Sequence, residues 1–221
     1  MTLAKHQPDD GRQWRQMPTE YRRKQLIEAT IDVIAEVGLS RATVSLVSKK
    51  AELSPAVINL QFQSKDNMLV ETLKYVREEF NQAWRKANEA GGENGNAADK
   101  VQNLLGTYFR PEICDPKKLR VWFAFFGEAA ARETYLDITR RYEAAVLGVL
   151  RDGCAVLIEE GGYDWMDPHR TARSLLASCD GLWMGLMLRP DTISPEQCVE
   201  SLNELLASHF PKHFGRLPDE T

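Results

Sequence analysis

Apolar residues recur three and four positions apart along almost the whole chain, and the runs stop at Gly or Pro. That spacing is the signature of amphipathic α-helices, and it excludes most other folds. Strand signals are missing: there are no alternating Val/Ile/Thr runs for a hairpin turn to join. In the first helix Leu26, Ile27, Thr30, Val33, Ile34 and Val37 line one face. Pro18 and Thr19 can start it, and Gly38 supplies a left-handed stop. Thr43 then caps a short helix carrying Val44, Val47 and Ala51, and Ser54-Pro55 opens another, with Ser at the N-cap and Pro at the first helical position. Further helices are expected at about 66–90, 97–110, 117–132, 134–160, 168–189 and 195–210, divided by Gly91–Asn96, Pro111, Pro116, Gly161-Gly162 and Pro190. The expectation is an all-α chain of about nine helices, with a three-helix head and a helical bundle behind it.

At 221 residues, 43% hydrophobic and 27% charged, the chain can bury a core and is not disordered in composition. No run of about 18 apolar residues and no signal-peptide stretch is present, so a cytoplasmic protein with no membrane partner is expected. The four cysteines, Cys114, Cys154, Cys179 and Cys198, are widely spaced and fall in apolar patterns, as buried small hydrophobes do. The net charge of −4 speaks against a nucleic-acid binder until its distribution is read. Residues 1–65 carry ten Lys/Arg against seven Asp/Glu, and the remainder 18 against 25. A basic front on an acidic body suits a small DNA-binding head.

Residues 43–62 read as helix, tight turn, helix. Such a unit can present its second helix to the DNA major groove, although structural helical hairpins share the pattern. Ile58 and Phe62, four apart, should pack inward on Val47 and Ala51. Pro55, Ala56, Asn59 and Gln61 are then left outward, and Lys65 just beyond is placed like a phosphate contact. An Asn or Gln amide can pair bidentately with adenine, and small apolar groups can touch thymine methyls.

The segments RRKQLIEATIDVIAEVGLSRATV and VSKKAELSPAVINLQFQSKDNML, within residues 20–75, resemble the DNA-binding domain of the TetR family. The resemblance rests on Thr43, Ser54, Phe62, Lys65 and Leu69. It implies a domain order of 1–18 as a flexible tail, 19–65 as the helix-turn-helix domain, 66–90 as a connecting helix, and 97–211 as a ligand-sensing and dimerisation domain. It also implies a DNA-facing set of Thr43, Ser45, Ser54, Pro55, Ala56, Asn59, Gln61 and Lys65. The family often has Gly where Ala56 stands and aromatic residues where Asn59 and Gln61 stand, so the base contacts here differ from its usual ones. The partners implied are a near-palindromic double-stranded operator and a second copy of the chain. Leu175, Leu182, Leu186, Val199, Leu202, Leu205 and Leu206 are available for the core or for that second copy.

In the body, Val121–Phe126 and Asp180-Gly181-Leu182-Trp183 resemble segments of the choline-responsive BetI repressors. What this implies is a repressor relieved by choline or a related quaternary amine, acting on genes for choline uptake and glycine betaine synthesis. Trp122, Phe125 and Phe126 fall at i, i+3, i+4, Tyr108 lies on the preceding helix, and Asp180 and Trp183 are three apart. Aromatic faces attract quaternary ammonium, and a carboxylate would offset its charge. The same residues are equally those of an ordinary core, with Asp180 paired to Arg173 or Arg140. His209 and His213 are poor metal partners because Pro211 lies between them. No cofactor is called for, and no H-E-x-x-H, G-x-S-x-G or P-loop points to an enzyme. The open alternatives are a regulator of another catabolic or efflux operon with a different hydrophobic ligand, and a helical enzyme or carrier without DNA binding.

Overall fold

The computed structural model describes residues 19–90, 96–129 and 132–215. The tail expected at 1–18 and the loop at Gly91–Gly95 fall outside these residues, as does Pro18 at the first helix start. Among the described residues there are ten α-helices and no strand. The head is α1 (Thr19–Val37), α2 (Val44–Lys50) and α3 (Pro55–Phe62). Next come α4 (Lys65–Ala90), α5 (Ala97–Gly106), α6 (Pro116–Ala129), α7 (Glu133–Gly161), α8 (Pro168–Leu188), α9 (Pro195–His209) and a single turn, α10 (Pro211–Phe214). That last turn is one helix more than the sequence suggested. Pro211 starts a new turn here rather than merely ending the old one.

Local chemistry sets most boundaries. Thr43 Oγ1 accepts the Leu46 N–H at 3.2 Å and caps α2. Asp167 caps α8 with Pro168 behind it, and Ser194 and Gln197 form a reciprocal capping box at the start of α9. Gly38 (φ +84°) and Gly162 (φ +64°) end α1 and α7 in conformations that side chains resist. The Tyr163 N–H then reaches back to the Ile158 carbonyl at 3.0 Å.

One expected helix divides. The run 97–110 is α-helical only to Gly106, and Thr107–Phe109 tighten into a 3₁₀ turn. Pro111 disfavours helical backbone at Arg110, which is extended (ψ +141°), so the last turn contracts instead of continuing. The Tyr108 carbonyl therefore has no helical partner. It accepts the Trp183 indole N–H at 2.7 Å.

The core runs without interruption from head to body. Leu26, Ile34, Val47, Ile58 and Phe62 are buried in the head, and Leu104, Leu119, Trp122, Leu157 and Leu175 in the bundle. Between them lies α4, which packs on α1 and α3 at one end and on α5, α6 and α7 along its length. No helix of the described residues is long and apolar enough to cross a membrane. All four cysteines are free and buried, and burial raises the thiols of Cys154 and Cys198 to about 12 and about 11. Of the seven residues available for core or interface, Leu175, Leu186, Leu202 and Leu206 belong to the chain's own core. The outward stripe of α8 is Ser174, Ala177, Gly181, Met184 and Leu188, alternating three and four apart.

Candidate DNA interface and effector cavity

The head presents α3 as a rigid, half-exposed rod. Ile58 and Phe62 are fully buried, as are Val47 and Ala51 beneath them. Pro55, Ala56 and Asn59 face solvent, and so does Leu60, at 77% exposure. Gln61 is only half-exposed, and its carbonyl accepts from Arg23 Nη1 at 3.2 Å. Thr43, Ser45 and Ser54 are exposed. Ser54 occupies the N-cap position of α3, but its hydroxyl makes no capping bond. Lys65 is half-buried, with Nζ 3.5 Å from the Ser40 carbonyl.

Arg23 clamps this rod. It reaches the Gln61 carbonyl at the C-terminal end of α3, ion-pairs with Glu71 on α4, and lies 4.8 Å over the Phe62 ring. A cation at a helix C-terminus is favourable in itself. Burial works to raise the Glu71 carboxyl, but hydrogen bonds from Lys74 and Arg23 outweigh it and hold the group below its ordinary range. The junction to α4 is equally tight. Gln63 adopts φ +67°, and the Ser64 N–H bonds the Phe62 carbonyl at 2.8 Å, which makes a γ-turn. Asn67 Nδ2 donates to the same carbonyl at 2.9 Å.

The body holds a cavity of about 290 Å³. Its walls include Arg77 and Phe80 from α4, Tyr108 from the 3₁₀ turn, Trp122 and Phe126 from α6, Tyr142 and Glu143 from α7, and Asp180 and Trp183 from α8. Five of the six residues picked out in the sequence, Tyr108, Trp122, Phe126, Asp180 and Trp183, thus meet in one place. Phe125 does not. It packs on the other side of α6, edge-on to Tyr135 with centroids 5.2 Å apart. Successive helical residues point about 100° apart, so Phe125 and Phe126 straddle Trp122 and cannot share a wall. The rings form a continuous set: Trp183 is 4.9 Å from Tyr108, 5.8 Å from Trp122 and 6.0 Å from Phe80.

Charge in the cavity is unusual. The Arg77 guanidinium stacks 4.3 Å from the Trp122 ring and 5.6 Å from Phe126. Burial lowers its pKa to about 10, against the pull of Glu143, Tyr108 and Asp180, so it stays protonated at neutral pH. Burial and then the Glu143 charge push the Asp180 carboxyl up to about 6, while Arg77 pulls the other way. Water reaches Asp180 at the cavity mouth, so this shift is a property of a half-open site. Asp180 has no ion pair with Arg173 or Arg140 among the described residues, and Arg173 lines the cavity instead. His209 Nδ1 sits 2.9 Å from the Leu205 carbonyl, and His213 lies 3.3 Å from Glu160.

Sequence reasoning missed Arg77, Phe80, Tyr142, Glu143 and Leu60. A signal for the first two existed. Arg77 interrupts the apolar stripe Leu69, Leu73, Val76, Phe80 and Trp84 of α4, where a buried charge needs an explanation.

A helix-turn-helix head with an exposed second helix, joined by one shared helix to a cavity-bearing bundle, defines the class of ligand-responsive transcription regulators. Residues 26–72 match the family model for bacterial regulatory proteins of the tetR family, and residues 97–211 match that for the C-terminal part of BetI-type transcriptional repressors. The chain belongs to the TetR family, with a body of the BetI type, and is a transcriptional repressor rather than an enzyme. It is 27% identical over 186 residues to the HTH-type transcriptional regulator BetI of Vibrio vulnificus, covering 84% of this chain and 90% of that one. It is 27% identical over 193 residues to BetI of Rhizobium meliloti, covering 86% and 89%. Among solved structures, a transcriptional regulator from Pseudomonas aeruginosa PAO1 superposes with a TM-score of 0.77 at 26% identity, over 93% of this chain and 98% of that one. A regulator from Saccharomonospora viridis, solved in complex with choline, shares the fold with a TM-score of 0.70 at 18% identity, over 85% and 96%.

Proposed function

We propose that the protein is a cytoplasmic, dimeric repressor that grips a near-palindromic operator and releases it when a quaternary amine of the choline type enters the cavity. Its targets are then genes for choline uptake and glycine betaine synthesis. The observation that carries this reading is the aromatic cavity with a carboxylate at its mouth, one wall of which is α4. That helix also supplies the buried residues Met68, Leu69 and Leu73 at the head end. At 26 residues it is about 39 Å long, so a small tilt at the cavity becomes a larger displacement at the head. Two heads must sit about 34–36 Å apart or somewhat more to fill successive major grooves, and a ligand that prefers another spacing dislodges both. The second copy docks on the α8 stripe of Ser174, Ala177, Gly181, Met184 and Leu188, whose alternation suits close helix packing. In the head, Asn59 and Gln61 read bases, Pro55 and Ala56 touch thymine methyls, and Thr43, Ser45, Ser54 and Lys65 meet phosphates.

An electrophoretic shift on DNA upstream of the gene, titrated with choline, tests the reading. Trp122→Ala and Asp180→Asn should each blunt the response to choline and leave operator binding intact. An uncharged isostere as potent as choline would count against a cation site. Lys65→Ala should weaken all DNA binding and flatten its salt dependence by about one counterion.

A further inference from the structure

Arg77 is poorly explained by a site built only for a cation. Its residue is 6% exposed, and Nε and Nη2 are buried without a hydrogen-bond partner. An unmet buried donor is destabilising, and more so when charged. Glu143 and Asp180 are near enough to feel its charge, but neither accepts a hydrogen bond or forms an ion pair with it. Stacking on Trp122 covers a face of the guanidinium. Its donors radiate in the plane of the group, and Arg77 lines the cavity. Arg77 also takes a Trp122 face that a bare cation would seek, and it repels such a cation.

The charges at the cavity balance. Arg77 and Arg173 stand against Glu143 and Asp180. Such a wall suits a ligand with charges of both signs and no net charge. Resting on the effector reading above, we propose that the effector is a zwitterion, with a fully alkylated ammonium at one end and a carboxylate at the other. Arg77 is the receptor for the carboxylate. A planar fork of donors matches two carboxylate oxygens, which a lone ammonium on a lysine does not. The alkylated ammonium lies against the remaining aromatic faces of Tyr108, Trp183 and Phe126, with Asp180 beside it. The ligand completes the hydrogen bonding of Arg77 and thereby grips α4 directly.

Calorimetric titration of the whole protein at pH 7.5 tests this with probes of one shape and different charge. These are trimethylammonio carboxylates with one to three carbons between nitrogen and carboxyl, choline, 3,3-dimethylbutanol and 3,3-dimethylbutanoate. The best zwitterion should bind at least about tenfold more tightly than choline. Arg77→Gln should abolish that preference, weakening the zwitterion while leaving choline unchanged or improved, with operator binding retained. Should Arg77→Gln fail to fold, the ranking of probes by the parent protein decides alone. Choline binding as tightly as every zwitterion would overturn the proposal and leave the cation reading standing. The uncharged alcohol matching both would overturn the two together.

Discussion

The head and the effector cavity treat an inward-facing guanidinium in opposite ways. In the head, Arg23 is met by a carboxylate, a carbonyl and a ring. In the body, Arg77 has rings against its face and nothing at Nε or Nη2. The reason lies in where each region meets its partner. A surface that docks on DNA must hold its shape beforehand, and Arg23, which clamps the end of α3, is paired within the chain. A cavity that takes a polar ligand must leave some groups unsatisfied until the ligand arrives.

The largest effect that would test this contrast is loss of the head's packing. Phe62→Ala removes a fully buried ring from beneath Arg23 and should lower stability by about 3–5 kcal/mol, seen in thermal unfolding, with operator binding lost. If Phe62→Ala still binds operator normally, the head is not the pre-shaped unit described. A sharper comparison pairs two substitutions of one kind. Arg23→Met should destabilise by about 1–2 kcal/mol, since it strands Glu71 and the end of α3. Arg77→Met should be neutral or stabilising by about 1 kcal/mol in the ligand-free protein, since it removes unmet donors. Equal losses from the two would erase the distinction.

A smaller effect is expected from Asp180. Its folded pKa of about 6 lies above the ordinary 3.8, so the folded state holds the proton more tightly. The penalty is absent below about pH 4, grows as pH rises through that window, and is complete above about pH 6. Asp180→Asn should therefore match the parent in thermal stability at the acid end and exceed it modestly at pH 7. The same carboxylate loses its charge as pH falls through 6, so affinity for a cationic group should weaken there in the parent and not in Asp180→Asn. The smallest effect concerns the helix-turn-helix bend, where Glu52 sits at φ +57°. Glu52→Gly should stabilise by about 0.5–1 kcal/mol in chemical denaturation without altering operator affinity.

The two regions also differ in how much of them could be read in advance. The head was legible because its rules are local. Thr43 caps its own helix, Ile58 and Phe62 face inward by spacing alone, and α4 begins one residue from where it was expected. Ser54 marks a limit: the cap position was right, yet its hydroxyl makes no capping bond. In the cavity the aromatic residues were legible by type and the geometry only in part. Spacing at i, i+3, i+4 marks a broad face, and it could not divide Phe126 from Phe125. The contraction at Thr107–Phe109 was hidden because it depends on how Pro111 limits the turn before it. Arg77 was hidden because its lack of a partner depends on side chains from several other helices.

The γ-turn at Gln63 leaves no linker between α3 and α4, and this bears on how such proteins could be recombined. A hybrid regulator made by exchanging heads at residues 63–64 would set a foreign head on Met68, Leu69 and Leu73, a floor shaped for this one. A cut placed beyond α4 would carry Arg77 and Phe80 along with the head and split the cavity between two parents. The remaining join is inside the helix itself, between Leu73 and Arg77, with the 3.6-residue phase preserved so that both stripes stay aligned. DNA preference and effector preference are then separable by a splice within one continuous helix, and by no loop on either side of it.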